Sequence, residues 1–423
     1  MFGCGECVER GALVFRHDVA QAAYRAQADH LRHMERIDQE VLEAVWDARG
    51  RVRRALQAAR RMFGLLAAVG PTFAAFGEPR GSGEGGRPPA STATAQTGRV
   101  HTVPSTSSTV RLGVFDATLP NILDVDSGDV IVYPDTWTHF LNRLQPGVPI
   151  EELARMRRDN PGKGPQSIIG PVGVRDAQPG DMVAVHFQRL LPIDWGVNFN
   201  NPGALGTGAL PDEFPDGQVR YFDFDLGAMT ASFTPGITLP LAPFQGTFGL
   251  APEAGGVVSS VPPGQHAGNL DLRDLTEGSV LYVPVWQTGA KLYTGDSHAL
   301  QGDGEVNLTA LETAMREVRI KVVLHEQAGW AWPFAETDTH WYALGVHPDL
   351  SEAFKIALHN TLDFLERKAG LARLDAYALA SMAVSFRVTQ VVDGNKGVHA
   401  MIPKSLFAQD ALEQITIVPV SGG

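Results

Sequence analysis

The sequence predicts an α+β protein dominated by sheet: a β-sandwich or barrel-like body with helices near the C-terminus, preceded by an N-terminal helical hairpin. The 45 Gly and 28 Pro residues are too many for an all-helical bundle, while 44% hydrophobic residues supply a core for the 423 residues. Short apolar runs behind turn residues fill the middle of the chain. Helical spacing appears only towards its two ends.

Apolar runs that follow turn residues predict the strands of the body. Three cases are Val130–Tyr133, Met182–Phe187 and Val280–Val285, which follow Ser127-Gly128-Asp129, Pro179-Gly180-Asp181 and Glu277-Gly278-Ser279. Towards the C-terminus, helical spacing predicts one helix from Leu350 to Ala369, closed by Gly370 because glycine adopts the left-handed conformation that ends helices. A second helix is predicted from Asp375, as its N-cap, to about Met382.

The first hundred residues differ in composition from the rest. They hold 14 Arg, no Lys and 11 acidic residues and so carry +3, whereas the remaining residues carry −15. Apolar residues from Leu31 to Phe63 follow one helical face, which Gly50 divides, and predict a helical hairpin in an extension of residues 1–76. Residues 77–109 are rich in Gly, Pro, Ser and Thr and predict a linker, with 110–423 as the body. We expect the hairpin to pack on the body or on a second subunit rather than on a membrane.

Charge and hydropathy exclude several classes of protein. The net charge of −12 argues against nucleic acid or an anionic membrane as the partner. Glu6 and Glu9 precede any apolar run, which argues against a secretory signal, and the apolar stretch at 62–76 is too short to span a bilayer. We therefore expect a cytoplasmic protein.

The two cysteines, Cys4 and Cys7, lie together at the N-terminus. They exclude a disulfide framework and leave the body without a thiol for nucleophilic catalysis. A redox pair, or half of a metal site with His17, is an open alternative to an unremarkable pair.

The residues that bear chemistry concentrate between Thr294 and Glu305. Within ten residues, three carboxylates and one imidazole alternate with glycines. Asp296 and His298, like Asp303 and Glu305, have the spacing that places side chains on one face of a strand. Carboxylates this close repel one another unless a cation or a shared proton compensates, and mixed Asp and His ligands favour zinc with an open position for water. The alternative is an acidic surface hairpin; the spacing does not fit an EF-hand.

A second polar group precedes this segment in the Gly-broken stretch 262–271. His266, Asn269 and Asp271 either form turns or face the same cavity as the acidic segment.

Five segments carry a family resemblance. They are PPGQHAGNLD, GSVLYVPVWQTGAKLYTGDSHALQGDGEV, PLAPFQGTFGLAP, WPFAETDTHWYALG and VTQVVDGNKGVHAMIPKSLF. Over roughly residues 101 to 408 the chain resembles the acetamidase/formamidase family of short-chain amide hydrolases. The resemblance implies a metal-associated, mainly β enzyme that hydrolyses small carboxamides to the acid and ammonia and works as a homo-oligomer. Relatives include lactam hydrolases.

The family's motifs fall on particular residues of this chain. Its Gly-Asn-x-Asp element corresponds to residues 268–271, its Gly-Asp-x-His-x-x-Gln-Gly-Asp-Gly-Glu element to 295–305, and the glutamate of the following segment to Glu312. Three departures are His266-Ala267-Gly268-Asn269 in place of Asn-Gly-Gly-Asn, Gln166 where a His often stands, and Ser385 in place of a frequent Asp. These departures concern the substrate rather than the hydrolytic site.

The resulting hypothesis is metal-dependent amide hydrolysis. Asp296 and His298, with Asp271 as the third ligand, hold a divalent ion, in the first place Zn²⁺, whose water is activated. A carboxylate then takes the proton from this water and delivers it to the leaving nitrogen; Glu305 is the first choice for this role and Asp303 the second.

Further side chains complete this hypothesis. Asn269 and Gln301, or glycine N–H groups, stabilise the oxyanion. Glu336 and His340 are candidates to orient ligands, with a structural role for His340 as the alternative. Nitrilase-type, Ser-Ser-Lys and Gly-x-Ser-x-Gly hydrolases are excluded because their motifs are missing. Two rivals stay open: a lactam hydrolase, and a catalytically silent protein that binds a small amide.

Overall fold

The structure, a computed structural model, describes residues 98–202 and 205–418, all within the unit Thr92–Gly423. The strands are β1 (Val100–Thr102), β2 (Val110–Leu112), β3 (Val114–Asp116), β4 (Leu123–Val125), β5 (Val130–Pro134), β6 (Ser167–Val174), β7 (Met182–Pro192), β8 (Trp195–Asn200), β9 (Gln218–Asp225), β10 (Thr230–Thr234), β11 (Ile237–Pro240), β12 (Phe244–Leu250), β13 (Val257–Ser259), β14 (Ala267–Asn269), β15 (Val280–Pro284), β16 (Leu292–Leu300), β17 (Leu311–Thr313), β18 (Met315–His325), β19 (Phe334–Glu336), β20 (His340–His347), β21 (Ser385–Gln390) and β22 (Lys396–Pro403). The helices are α1 (Ile150–Arg158), α2 (Leu350–Ala369), α3 (Arg373–Ala383) and α4 (Gln409–Leu412).

Two large open sheets form the body. The first has nine strands in the order β1-β5-β18-β7-β15-β19-β20-β22-β21. The second has eleven: β11-β10-β9-β8-β17-β16-β12-β14 form its path, and β6 joins it at β16 and carries β2 and β4. Strands β3 and β13 pair separately. The predicted sheet-dominated class is confirmed, and the sheets are open rather than closed into a barrel.

The main core lies between these two sheets. It joins Ile131 and Val183 of the first sheet with Phe248 and Leu292 of the second, all at most 1% exposed. Phe187 and Phe248 meet edge to face across the interface, with ring centroids 5.5 Å apart. The two inner faces therefore pack as a sandwich, and the second sheet also carries the candidate site described below.

The strands and C-terminal helices agree closely with the sequence predictions. The three predicted runs lie in β5, β7 and β15, and α2 spans Leu350–Ala369 and ends at Gly370, whose φ of 67° is left-handed. Helix α3 begins earlier than predicted: its N-cap is Ala372, and Asp375 lies in its first turn. In the part of the chain that the structure describes, no helix has the length and apolarity needed to cross a membrane.

The predicted N-terminal domains fall largely outside the described residues. The helical hairpin of residues 1–76, Cys4 and Cys7 all lie there, as does most of the linker. The end of the predicted linker needs a correction, because β1 lies within it and pairs in parallel with β5, Val100 opposite Val130. A run of three residues between turn-forming neighbours is too short to stand out as a strand.

Asp129, in one of the turns singled out above, holds β1 in place. Its buried carboxylate accepts hydrogen bonds from the backbone N–H groups of Arg99 (2.8 Å) and Asp126 (3.0 Å) and from His101 Nε2 (2.7 Å). Burial raises the pKa of Asp129, but these hydrogen bonds outweigh burial, and the pKa is lowered.

We predict that Asp129→Asn lowers the melting temperature at neutral pH, because the loss of charge-assisted hydrogen bonds costs about 1–3 kcal/mol. The depressed pKa stabilises the fold above the unfolded pKa of about 3.9, and this contribution is lost as the pH falls through the folded value. The difference in melting temperature between wild type and Asp129→Asn should therefore disappear in acid. Thermal melts from pH 7 to pH 3 measure it, with exposed Asp135→Asn as the control; a gap that persists unchanged in acid contradicts the prediction.

Candidate active site

Strand β16, an inner strand of the second sheet, supplies the centre of the site. It carries Asp296 and His298, and it pairs with β12, β17 and β6. Asp296 has a φ of 57°, so the strand is irregular at the point where the two side chains converge. Glu312 of β17 is the residue paired directly with His298, and their side chains approach to 3.1 Å between His298 Nε2 and Glu312 Oε2.

A distant turn contributes a second histidine. His139 begins a short left-handed turn, His139–Asn142, in which Phe140, Leu141 and Asn142 all have φ between 55° and 66°. The Phe140 N–H donates to the Pro165 carbonyl, which anchors the turn beside β6. His139 Nε2 then donates to Asp296 Oδ1 at 2.6 Å and lies 3.4 Å from Glu312 Oε2.

Three further carboxylates come from loops. Asp271 lies two residues after the end of β14, Glu305 lies in the turn after β16, and Asp393 lies between β21 and β22. Asp271 and Glu305 adopt left-handed φ values of 52° and 46°. Non-glycine residues in this conformation cost free energy, and such strain concentrates at functional sites.

We call the seven residues His139, Asp271, Asp296, His298, Glu305, Glu312 and Asp393 the carboxylate–histidine cluster. None is more than 7% exposed. They form four overlapping triads in which one ligand atom from each residue lies within 4.8 Å of the others; one triad is the predicted set of Asp271, Asp296 and His298. The chain therefore buries five carboxyl groups and two imidazoles in contact with one another.

The histidines and their carboxylate neighbours favour opposite charges. Burial lowers the pKa of His298, but Glu312 and Asp296 outweigh burial and raise it well above its usual value. The pKa of His139 is raised against burial by the same two carboxylates. Burial raises the pKa of Asp296, yet His298 and His139 outweigh it and lower the pKa.

For the other three carboxyl groups, Asp271, Glu305 and Asp393, the attraction of His298 does not outweigh burial and repulsion. Burial, and then the negative charges of Glu305 and Asp393, raise the pKa of Asp271 well above its usual range. Glu305 is raised by burial and by Asp393, and burial raises the pKa of Asp393 to about 7. These three carboxyl groups therefore do not all ionise together unless a cation is present.

Neighbouring polar side chains fix the cluster. Gln301 Nε2 donates to the Asp271 carbonyl (2.8 Å), and its Oε1 lies 3.1 Å from His298 Nδ1. Thr247 donates to Asn269 Oδ1 and lies 3.1 Å from Asp296 Oδ2. Gln301 therefore orients the His298 ring, and one of its two amide N–H groups is engaged by the Asp271 carbonyl.

A cavity of about 90 Å³ opens beside the cluster. Its lining includes His139, Asp296, Glu305, Glu312, Asp393, Asn269, Gln166, Arg157 and apolar side chains from Phe140, Phe199, Val261, Leu308 and Val392. At roughly 10–15 Å³ for each water, this volume holds several waters and suits a small organic molecule.

Several predicted residues lie elsewhere. Asp303 is exposed on the surface, 3.5 Å from Arg387 Nη1, because the chain turns after Gln301 instead of continuing as a strand. His266 packs edge to face on Phe115 and lines a different pocket; burial lowers its pKa to about 4.

Glu336 and His340 also fall outside the cluster. Glu336 accepts hydrogen bonds from Tyr282 (2.9 Å) and Lys404 (2.7 Å), and the His340 ring contacts Thr339 at 2.9 Å. Both belong to the first sheet, so the structure assigns them local roles rather than the orientation of ligands.

The residues that sequence reasoning missed come from remote positions. His139 stands 157 positions from Asp296, and no spacing rule connects them. Asp393 lies beside Gly394 in the segment VVDGNKG. Its position between two strands is the only feature of the sequence that could have pointed to a role in the site. Glu312 was noted through the resemblance alone, although its separation from His298 becomes meaningful once β16 and β17 pair.

Comparisons with known proteins agree with this architecture. The sequence model of the Acetamidase/Formamidase family matches residues 163–259 and 254–329. Over this region the chain is similar to the acetamidase/formamidase family. It is 27% identical over 197 residues to an acetamidase of Mycolicibacterium smegmatis, covering 33% of this chain and 48% of that one, and 27% identical over 198 residues to a formamidase of Methylophilus methylotrophus, covering 35% and 49%.

A solved family structure covers more of the chain. The acetamidase of Yersinia enterocolitica is 28% identical, with a TM-score of 0.66 over 75% of this chain and 96% of that one. The chain spans about half the length of the curated relatives it matches. The matched region contains most of the cluster, whereas His139 and Asp393 lie outside residues 163–329.

The carboxylate–histidine cluster fits a divalent metal ion. Among its buried atoms, both Asp271 carboxylate oxygens and Glu305 Oε2 have no hydrogen-bond partner. Carboxylate and imidazole atoms are the ligands that zinc uses in proteins. Gly246 of β12 keeps space open between them: a Cβ built there would lie 2.5 Å from His298 Cε1 and 2.6 Å from Asp271 Oδ1.

We predict that Gly246→Ala weakens zinc binding roughly 10- to 100-fold, the usual cost of displacing a ligand's surroundings, because the new methyl group pushes His298 and Asp271 apart. Isothermal titration calorimetry on metal-free protein measures the affinity. Gly302→Ala is the matched control, since a Cβ at Gly302 meets nothing within 4 Å. Wild-type affinity in Gly246→Ala, or an equal loss in both variants, contradicts the prediction.

Proposed function

We propose that this protein hydrolyses short-chain carboxamides, such as formamide and acetamide, to the carboxylate and ammonia in a metal-dependent reaction. The observation that supports this most strongly is the cluster of five buried carboxyl groups and two histidines, four of whose carboxyl groups line one small cavity, in a chain similar to the acetamidase/formamidase family. The family names amides as the substrate class, and the cluster offers ligands and proton-transfer groups for their cleavage.

The metal is part of the proposal, with zinc as the first choice. Asp271, Asp296 and His298 would hold it, and Glu312 and His139 offer ligand atoms within the overlapping triads. When bound, a divalent ion supplies Lewis acidity that polarises a carbonyl and lowers the pKa of water. The two unpartnered carboxylate oxygens of Asp271 are the feature that such an ion would explain.

Glu305 is the proposed proton-transfer group. Its Oε2 is buried without a hydrogen-bond partner, and the residue lines the cavity. Water adds to the carbonyl carbon, Glu305 takes a proton at this oxygen and passes it to the leaving nitrogen, and the C–N bond breaks to release ammonia and the acid. The proton is required because an amide anion is too basic to leave.

Asn269 remains the proposed oxyanion donor. Its Oδ1 accepts from Thr247, which fixes the amide plane, and Nδ2 is the donor end of the same group. Removing one such donor costs roughly 3–4 kcal/mol of transition-state stabilisation. Gln301, in contrast, contributes by holding His298. The homo-oligomer implied by the resemblance is likewise a proposal, which analytical ultracentrifugation tests.

We predict that metal-replete protein releases ammonia from formamide or acetamide and that Glu305→Gln lowers kcat by roughly 10²- to 10⁴-fold, the usual contribution of a general acid–base group. A coupled ammonia assay measures both. Asp303→Asn is the matched control, because Asp303 lies on the surface beside Arg387 and should leave kcat near the wild-type value.

The same assay separates the rival function. Equal, negligible rates for wild type and Glu305→Gln, together with measurable amide binding, would indicate the catalytically silent binding protein instead. A γ-lactam in the substrate panel tests the lactam hydrolase.

A further inference from the structure

One cation faces the candidate catalytic cavity. Arg157, in the last turn of α1, lines it together with Glu305 and Asp393. Among the described residues that form the lining, Arg157 is the only Lys or Arg. It precedes residue 163, where the family match begins, so the family match itself assigns nothing to it.

The Arg157 guanidinium is half-buried and lacks an anionic partner in the described chain. One nitrogen donates to the Lys163 carbonyl, and no carboxylate of the described residues forms an ion pair with it. In contrast, Arg155, two positions earlier, forms ion pairs with both Glu152 and Asp159. Because a guanidinium carries five N–H donors, most of those on Arg157 are left for a ligand.

The position of this charge relative to the cluster matters. Asp393 lies close enough for its charge to act on Arg157, yet the two side chains do not form an ion pair. Arg157 and four carboxyl groups of the cluster thus line the same cavity, and no ion pair joins them. A cation removed from water without a partner costs free energy, which an anionic ligand offsets.

We infer that Arg157 binds a carboxylate on the acyl part of the substrate, so that the preferred substrates are monoamides of short dicarboxylic acids, such as malonamate and succinamate. This inference rests on the proposed function, in which the cluster takes the carboxamide end. The planar guanidinium matches a carboxylate with two parallel hydrogen bonds. Apolar side chains of Val261, Leu308 and Val392 in the same cavity suit the intervening methylene groups.

The test compares succinamate with 4-oxopentanamide, in which a methyl ketone replaces the carboxylate at the same chain length. Wild-type protein should show a higher kcat/KM for succinamate by roughly 10- to 100-fold, the range expected for charge-assisted hydrogen bonds. Arg157→Gln should remove that preference by raising KM for succinamate far more than KM for 4-oxopentanamide. Arg157→Lys, which keeps the charge but loses the fork, should restore part of it.

Arg158→Gln is the matched control, because Arg158 is the next residue and is exposed. It should keep the wild-type preference. The inference is overturned if wild-type protein does not favour succinamate, or if Arg157→Gln slows both substrates equally, which is the pattern of a purely structural residue.

A binding arm makes the result independent of turnover. Calorimetry with Glu305→Gln protein measures the affinity for succinamate and for 4-oxopentanamide, with and without the additional Arg157→Gln substitution. Tighter binding of succinamate that depends on Arg157 supports the inference even if no amide is hydrolysed, in which case the proposed function alone has failed. Equal binding of both probes overturns it.

Discussion

Electrostatic repulsion among buried carboxyl groups is the constraint that dominates this structure. Asp271, Asp296, Glu305, Glu312 and Asp393 meet in a volume where solvent hardly reaches them. Uncompensated charges in such surroundings cost several kcal/mol each. His139 and His298 offset Asp296 and Glu312, but the remaining carboxyl groups are held near the neutral form or require a cation. A bound divalent ion, as proposed, would resolve this imbalance and would ligate the Asp271 oxygens that have no hydrogen-bond partner.

The fold meets this constraint by placing the cluster where strands lose their regularity. Asp296 lies in a left-handed kink of β16, and Asp271 and Glu305 adopt left-handed backbone conformations just beyond β14 and β16. The regular sandwich core supports these positions from one side, and Gly246 leaves the space that they share. A rigid sheet thus holds strained residues whose side chains approach closely enough to act on one ligand.

Local signals carried much of the sequence prediction. Turn residues ahead of β-branched runs identified β5, β7 and β15, and Gly370 marked the end of α2, because these features depend only on neighbouring residues. The grouping of Asp296, His298 and Glu305 was also visible in one segment. The strand interpretation of Asp303 with Glu305 was wrong, since the chain turns there and exposes Asp303. His139 and Asp393 depend on long-range pairing, and a single sequence holds no spacing that reveals it.

Metal content is the most direct test of the central claim. Full-length protein purified without chelators should contain at least a stoichiometric amount of a divalent ion by inductively coupled plasma mass spectrometry. It should lose this ion on exhaustive dialysis against chelator and regain zinc from buffer, with restored amide hydrolysis. Protein that holds no divalent ion, takes up none, and cleaves amides equally well after chelation would contradict the account.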